Sequence, residues 1–233
     1  MRAWKRLLKQ VSSNALVLDF GAGEAQYLVP FCRKHTHKTF YALDNKTSNI
    51  EFCAALAYPN LKGVLLNIEE ENVSFQADLA ICIGVMQYLE KDLAACKHMY
   101  NSLKPGAILL LYVPINGIII TGLYKRVLAK FEHYETIHRR KRVYSESDLL
   151  EKLAQAGFSI ARKTYTYGYF GKLSHELLNT LSTILFSGSM ALKLLAMLLF
   201  PLCMPIILCL MAIDISLPKA SGNGILIELK RGI

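Results

Sequence analysis

A short glycine-containing stretch near the N-terminus holds the residues best placed to do chemistry. It reads DFGAGEAQ, from Asp19 to Gln26, and its first two residues end the mainly apolar run ALVLDF. Gly21 and Gly23 allow a backbone to turn tightly and to approach a ligand without a Cβ in the way. The Asp19 carboxylate, at the end of the predicted strand, suits a cationic group better than a pyrophosphate. The stretch therefore predicts a ligand-binding turn after the first strand.

The spacing of the glycines bears on which ligand this turn holds. A dinucleotide fingerprint needs G-x-G-x-x-G/A, and its third position is occupied here by Gln26, whose side chain is expected to obstruct close packing of helix on strand. Asp44 lies 25 residues after Asp19, at the end of the second predicted strand, where it can accept hydrogen bonds from both hydroxyls of a ribose. The pattern suits any adenosine ligand, and an NAD-dependent oxidoreductase stays open as an alternative.

Together these residues resemble the class I S-adenosylmethionine-dependent methyltransferases, whose first motif is an acidic residue followed by G-x-G-x-G. Asp19, Gly21, Gly23 and, conservatively, Ala25 match that motif, and Asp44 in LDN resembles the ribose-binding acid of the family. Three later stretches resemble further landmarks in the same order: LLNIEEENVSFQADLAICIGVMQYLEK, LKPGAILLLYVP and YSESDLLEKLAQAGF. The resemblance covers roughly residues 14–168 and 224–231. It departs from the family at Ala25, and at Asn67 where an acid is usual.

The resemblance implies S-adenosyl-L-methionine as the cofactor. Asn67 and Ile68 would flank the adenine, and Ile83 to Gln87 would line the methionine end. The implied cofactor-binding residues are Asp19, Phe20, Gly21, Ala22, Gly23, Asp44, Asn45, Asn67, Ile68, Ile83, Gly84 and Gln87. A Rossmann-like protein that no longer binds this cofactor is the alternative.

Candidate catalytic residues lie in FEHYETIHRRKR, after the fifth predicted strand. Methyl transfer mainly requires alignment and exclusion of water, and a base is needed only where the acceptor loses a proton. His133 beside Glu132 is the first candidate base, followed by His138, because an imidazole titrates near neutral pH. The alternative is that all three are surface residues of a basic lid.

The acceptor is constrained by two further features of the sequence. Arg139, Arg140 and Arg142 could hold a phosphate or carboxylate of the acceptor by paired hydrogen bonds. Family members that methylate amides and amines often carry N/D-P-P-Y/F after the fourth strand, where this chain reads IGVMQY. O-methylation is therefore favoured. No His, Asp and Glu cluster has metal-ligand spacing, so no metal is expected.

The elements that must position these residues follow from alternating apolar runs and helix-period segments. Strands are predicted in ALVLDF, KTFYALD, GVLLNI, ADLAICIG, AILLLYVP, SIARKTYTY and ILIELKR. DLAACKHMYNSLKPG is predicted as a helix stopped by Pro105 and Gly106, and a second helix begins at a Ser145 or Ser147 cap and stops at Gly157. We expect an α/β, Rossmann-like class I methyltransferase fold: a seven-stranded, mostly parallel sheet with helices on both faces, plus a hydrophobic helical insertion before the last strand.

That insertion is an apolar run from Leu177 to Ile213 whose single charge is Lys193. It is long enough to hold a membrane-spanning helix, but the last strand must return to the sheet. Pro201 and Pro205 are predicted to break it into a hairpin-like pair that is re-entrant or interfacial. The alternative is a packed helical cap or a dimer contact. The predicted division is residues 1–176 as the cofactor-binding domain, 177–215 as the insertion and 216–233 as the returning strand.

Charge and composition suit a partner that is anionic. The chain carries 27 Lys and Arg residues against 18 Asp and Glu residues, a net charge of +9. The N-terminal WKRLLKQV places Trp4, Leu7, Leu8 and Val11 on one helical face, which predicts an interfacial basic helix. Nucleic acid is disfavoured because no RNA-binding domain is appended. Six cysteines without paired spacing indicate a reduced, cytosolic environment.

These features predict a methyltransferase that acts at a membrane surface. The expected acceptor is a lipid, a lipid-linked sugar or an isoprenoid or quinone-type molecule. The expected location is the cytoplasmic side of a membrane, monotopic or re-entrant, or the cytoplasm if the apolar run is a packed cap. A non-catalytic, membrane-associated Rossmann-like protein stays open as an alternative.

Overall fold

The computed structural model describes residues 2–130, 141–187 and 189–232, which form seven strands and eight α-helices. The strands are β1 Leu16–Phe20, β2 Thr39–Asp44, β3 Leu61–Leu65, β4 Ala77–Ile83, β5 Leu103–Pro114, β6 Phe158–Thr166 and β7 Gly224–Arg231. The helices are α1 Arg2–Gln10, α2 Val29–Cys32, α3 Thr47–Ala55, α4 Asp92–Asn101, α5 Gly122–Lys130, α6 Glu146–Gln155, α7 Tyr169–Ser187 and α8 Met190–Ser216, with a 3₁₀ turn at Met86–Tyr88.

The seven strands form one sheet in the order β3-β2-β1-β4-β5-β7-β6. β1 pairs in parallel with both β2 and β4, and β4 pairs in parallel with β5. The chain moves outward from β1 to β3 and then crosses to β4 on the other side, so a topological switch point lies between β1 and β4, where open α/β sheets bind ligands. The predicted fold class is confirmed, and the last strand returns to the sheet as expected, between β5 and β6.

The prediction for α1 is wrong. Its apolar face is not available to a membrane, because Trp4, Leu7 and Leu8 are buried in the main core. The Trp4 ring meets Phe31 edge to face at 6.3 Å between centroids, and its indole N–H donates to the Tyr27 carbonyl at 3.2 Å. The amphipathic pattern of α1 therefore covers the sheet.

The edges of two predicted elements also differ from the structure. α4 ends at Asn101, so Pro105 and Gly106 do not stop it and lie inside β5. The register of β4 against β5 shifts between Ala77 and Leu79, which accommodates these two residues as a bulge. β3 covers Leu61–Leu65, two residues earlier than GVLLNI suggests. The other predicted strands and the Ser145 cap of α6, which accepts the Asp148 N–H at 3.1 Å, are confirmed.

The described chain divides into two compact units that differ from the predicted division. Unit 1 comprises 1–113, 144–163 and 226–233, and unit 2 comprises 114–143 and 164–225. The segment after β5 and the apolar run are therefore parts of one unit, although over 20 residues of sequence separate them. Unit 1 carries the core of the sheet.

In unit 2, α7 and α8 form an antiparallel helical pair with a polar base. Asp214, near the end of α8, packs so closely on the start of α7 that a Cβ at Gly171 would lie 2.6 Å from its Oδ2. Lys219 forms an ion pair with Asp214 at 3.4 Å, and the Asn223 N–H donates to the Tyr167 carbonyl at 3.2 Å. The chain therefore leaves and returns at the same place, as the expected return of the last strand requires.

The predicted break at the two prolines is wrong, because Pro201 and Pro205 both lie inside the 27-residue α8. The break falls earlier, because α7 ends at Ser187 and Ser189, in extended conformation, is the N-cap of α8. An interior proline costs a helix about 3 kcal/mol. A helix of this length keeps most of its other hydrogen bonds, so α8 continues through both prolines.

The surface of α8 is unusually apolar. Among the described helices, α8 is the one whose length and composition suffice to cross a membrane, and only 11% of the residues in its most apolar window are buried. Leu198, Leu202 and Ile206 are each more than half exposed. A helix in the core of a soluble protein would show the opposite burial.

Candidate functional site

The predicted glycine turn is fixed to the end of β2 by backbone hydrogen bonds. The N–H groups of Gly21 and Ala22 donate to the Leu43 carbonyl at 2.8 and 2.9 Å. The Gly23 N–H donates to Oδ2 of Asp44 at 2.9 Å. The turn and the predicted ribose-binding acid therefore form one rigid corner at the carboxyl ends of β1 and β2.

Asp44 itself is held from both sides and is almost buried. Its Oδ1 accepts the Lys46 N–H at 3.0 Å, while Oδ2 accepts Gly23, and 9% of the residue is exposed. A carboxylate has about four acceptor positions. Two remain for the hydroxyl groups of a ligand.

Gly21 is the position of the turn where a side chain cannot be accommodated. Its φ of +70° favours glycine, and an added Cβ would overlap the side chain of Val85, just beyond β4. Gly23 has a φ of +53°, but an added Cβ there would have nothing within 4 Å. The close approach of the ends of β1 and β4 thus explains why residue 21 is a glycine. At residue 23 the backbone conformation alone favours glycine.

Asp19 lies at the floor of this corner. It is 1% exposed, and its Oδ2 has no hydrogen-bond partner within the part of the chain that the structure describes. Burial raises the pKa of the Asp19 carboxyl well above its usual value, and the charge of Asp44 raises it further. A buried acceptor without a donor is costly, so the geometry suits a ligand that brings a donor or a positive charge.

The end of β4 contributes a second buried acceptor. Gly84 has a φ of +68°, and the amide of Gln87 in the 3₁₀ turn donates to the Gly84 carbonyl at 2.8 Å. The Gln87 Oε1 is buried, and none of the described residues donates to it. Gln87 therefore shapes the turn with its nitrogen and leaves its oxygen available.

The loop after β3 is fixed to the same edge. The Leu66 N–H donates to the Asp44 carbonyl at 2.9 Å, and Asn67 Oδ1 accepts the Glu69 N–H at 3.1 Å. Glu69 in turn accepts the N–H groups of Glu90 and Lys91 at 2.7 and 2.5 Å. One carboxylate thus ties the loop after β3 to the start of α4.

The predicted cofactor-binding residues all lie at or just beyond the carboxyl ends of β1 to β4, and their assignment to the cofactor stays a prediction. Phe20, Ala22 and Ile68 have buried side chains, so chiefly their backbones could contact a ligand. Asn45 is exposed beyond Asp44. The expected obstruction by Gln26 is wrong, because that side chain is exposed and Ala25 fills the buried position.

The predicted catalytic residues cannot be placed in the same way. Glu132, His133 and His138, with Arg139 and Arg140, lie outside the described residues. They stay predictions.

The structure also brings in residues that the sequence pattern does not single out. Cys53 of α3 lies under the turn, with its Sγ 3.8 Å from the Gly23 carbonyl. Burial raises the pKa of its thiol, as do the charges of Asp19 and Asp44. Such contacts arise from packing between distant segments, and no local motif signals them.

Tyr144 supports the 3₁₀ turn from below. Its hydroxyl donates to the Met86 carbonyl at 3.2 Å and lies 2.8 Å from Asp92 Oδ2, and Lys152 pairs with the other oxygen of Asp92 at 3.3 Å. Both Tyr144 and Asp92 are buried. A tyrosine just before a serine cap was the available signal, and it does not reveal these partners.

These residues fit S-adenosyl-L-methionine, the cofactor that the sequence resemblance implies. Asp44 offers acceptors for ribose hydroxyls, and the unpartnered oxygen of Asp19 suits a cationic ligand. Gly21 keeps the floor between β1 and β4 free of a side chain. A dinucleotide pyrophosphate would instead bring negative charge beside the Asp44 carboxylate.

Comparison with known families supports the same assignment. The family model of a methyltransferase domain matches residues 18–109, which run from within β1 through β2, β3 and β4 into β5. A protein of Invertebrate iridescent virus 6 that carries the name methyltransferase 235L is 24% identical over 106 residues, which are 46% of this chain and 40% of that protein. The chain thus matches less than half the length of this relative.

Solved structures share the fold at low sequence identity. A TehB-like SAM-dependent methyltransferase from Corynebacterium glutamicum has a TM-score of 0.57 and 13% identity, covering 99% of this chain and 87% of that one. The O-methyltransferase of a Brevibacillus brevis trans-AT PKS multienzyme, in complex with S-adenosyl-L-homocysteine, has a TM-score of 0.60 and 14% identity, covering 98% and 72%. At such identities the likeness shows the fold.

Proposed function

We propose that the chain, which belongs to the class I S-adenosylmethionine-dependent methyltransferases, methylates an acceptor that it meets at a membrane surface. Its cofactor is S-adenosyl-L-methionine, which supplies an activated methyl group. The acceptor class we propose is a lipid, a lipid-linked sugar or an isoprenoid or quinone-type molecule. The observation that carries this proposal is the exposed apolar surface of α8 in a chain that also holds a methyltransferase domain.

The cofactor half of the proposal rests on the corner formed by β1, β2 and β4. Asp44 would hold the ribose hydroxyls, and the free oxygen of Asp19 would face the charged end of the cofactor. Gly21 and Gly84 would let the backbone approach it closely. Most of these groups are fixed by hydrogen bonds before a ligand arrives, which lowers the entropy lost on binding.

The membrane half rests on the apolar surface and on the topology of unit 2. An exposed apolar surface that extends along a whole helix, as on α8, is uncommon on a soluble monomer and marks an interaction site. Polar contacts at Asp214 hold the end of α8 to the start of α7. If α8 crossed the bilayer once, α7 would therefore have to cross it as well. α7 buries Ser174, Glu176 and Thr180, and α8 is the one described helix apolar enough to span. A re-entrant or in-plane orientation of α8 satisfies both constraints.

The choice of oxygen as the methylated atom rests on the residues after β4. Gly84 to Tyr88 read GVMQY, without the paired prolines that the resemblance associates with amide and amine acceptors. A hydroxyl acceptor must lose a proton, which is the role proposed for His133 with Glu132, or for His138.

The proposal predicts that α8 binds lipid while unit 1 binds cofactor. The full chain should float with phosphatidylcholine vesicles, and Leu198→Ser/Leu202→Ser should abolish flotation. The control is Ile160→Ser, which removes an apolar side chain that is 46% exposed on β6. All three proteins should still gain thermal stability with S-adenosylhomocysteine. Flotation of the double variant at the wild-type level would contradict the membrane role of α8.

A further inference from the structure

Unit 2 concentrates positive charge as well as apolar surface. The segments 114–143 and 164–225 hold ten Lys and Arg residues against four Asp and Glu residues, a net charge of +6 out of +9 for the chain. Two of the four acids, Glu176 and Asp214, are buried at 2% and 8% exposure. The accessible charge on the described residues of these two segments is therefore largely positive.

Part of this charge stands beside a second exposed apolar group. Ile118, Ile119 and Leu123 are 73%, 42% and 60% exposed, on the loop after β5 and the first turn of α5. Lys125 and Arg126 follow directly on α5, and both are exposed. We name these five residues the α5 tip. In the part of the chain that the structure describes, no acidic side chain forms a salt bridge with Lys125 or Arg126.

The α5 tip is held rigidly. The buried carboxylate of Glu176 accepts the N–H groups of Ile120 and Thr121, each at 2.8 Å, and the Thr121 hydroxyl at 2.5 Å. These groups lie directly before α5, which begins at Gly122, so a residue of α7 fixes the loop where it enters the helix. A fixed loop does not lose conformational entropy when its exposed isoleucines leave water.

We propose that the α5 tip is a second membrane contact, which recognises an anionic bilayer: its apolar residues enter the interface while Lys125 and Arg126 pair with lipid phosphates. This inference rests on the proposed membrane function and specifies its lipid. Apolar residues next to cations match the layers of an anionic leaflet, where hydrocarbon lies directly beneath negative headgroups. Nucleic acid would leave the three apolar side chains without a partner.

The test compares the full-length protein on vesicles of phosphatidylcholine alone and of an equal mixture with phosphatidylglycerol. The wild type should bind the mixed vesicles more tightly, and added salt should remove the difference. Lys125→Gln/Arg126→Gln should lower affinity for the mixed vesicles about tenfold or more and leave binding to phosphatidylcholine unchanged. The matched control is Lys34→Gln/Lys97→Gln, two exposed lysines of unit 1, which should bind like the wild type.

Other results of the vesicle-binding experiment would contradict the inference in different ways. Equal losses in the two double variants would overturn the inference, because charge would then act without regard to position. Wild-type binding to both vesicles with equal affinity would overturn it as well, but would leave the proposed membrane function intact. Binding to neither vesicle would contradict both. Ile118→Ser/Ile119→Ser should weaken binding to both vesicles, and unchanged binding would refute the apolar part of the tip.

Discussion

The carboxylate of Asp44 accepts the backbone N–H of Gly23 across 2.9 Å, so the acid that ends β2 also fixes the glycine turn that follows β1. The Asp44 side chain therefore supports the turn beside it, in addition to the ribose-binding role that we propose for it. A substitution at Asp44 should affect binding both directly and through the shape of the turn.

Asp44→Ala should weaken binding of S-adenosylhomocysteine by about tenfold to a hundredfold, since a hydrogen bond to a charged group contributes about 1.5–3 kcal/mol. Isothermal titration calorimetry measures this directly. Glu151→Ala, which removes an exposed acid of α6, is the matched control and should bind normally. Wild-type affinity in Asp44→Ala would exclude it as a cofactor ligand.

Gly21→Ala should destabilise the protein and abolish cofactor binding, because the added Cβ overlaps Val85 and the backbone is left-handed. Gly23→Ala meets only the backbone cost, about 1–2 kcal/mol, and should retain the fold. Val85→Ala should rescue part of the stability lost in Gly21→Ala. Thermal denaturation of the three single variants and the double variant measures these effects. A larger loss of melting temperature in Gly23→Ala than in Gly21→Ala would contradict the prediction.

Asp19 should make stability depend on pH. Because its pKa is raised in the folded state, the folded protein holds a proton that the unfolded chain releases, and stability falls as pH rises above the unfolded pKa. Asp19→Asn removes this penalty, so its gain in melting temperature over the wild type should grow between about pH 4 and about pH 7. The same variant should bind S-adenosylhomocysteine more weakly. A difference in melting temperature that stays constant with pH would show that Asp19 is ionised in the fold.

Glu176→Ala should loosen the start of α5. It leaves the partly buried Ile120 and Thr121 N–H groups without their acceptor, and the cost for each should be at most that of a fully buried unsatisfied donor, about 1–3 kcal/mol. Hydrogen exchange at these two amides should accelerate, while Glu176→Gln, which keeps one acceptor oxygen, should have a smaller effect. Unchanged hydrogen exchange in Glu176→Ala would mean that the Glu176 carboxylate does not hold the loop.

Much of the fold and of the cofactor corner could be predicted because the signals are local. The apolar run before Asp19 indicates a buried strand, the glycines after it indicate a tight turn, and Asp44 marks the end of the second strand. The return of β7 followed from the order of strands. These predictions needed no knowledge of contacts between distant residues.

The predictions that failed depended on such contacts. The apolar face of α1 looks the same in sequence whether it covers a core or a membrane, and burial of Trp4 decides between them. Pro201 and Pro205 are helix breakers by propensity, but α8 continues through both, and the helix boundary lies between Ser187 and Met190. The sequence pattern places Gln26 against the strand, whereas the buried residue is Ala25, in left-handed conformation with φ +55°, and Gln26 is exposed.

The central claim, methyl transfer to an acceptor in a membrane, is tested most directly with methyl-labelled S-adenosylmethionine and total cell membranes. After incubation with the full-length protein, the membranes are extracted with organic solvent and label is counted in each phase. The wild type should transfer label to the organic phase, and Asp44→Ala should transfer no label. Label confined to the aqueous phase, or no label from a protein that binds S-adenosylhomocysteine, would contradict the central claim.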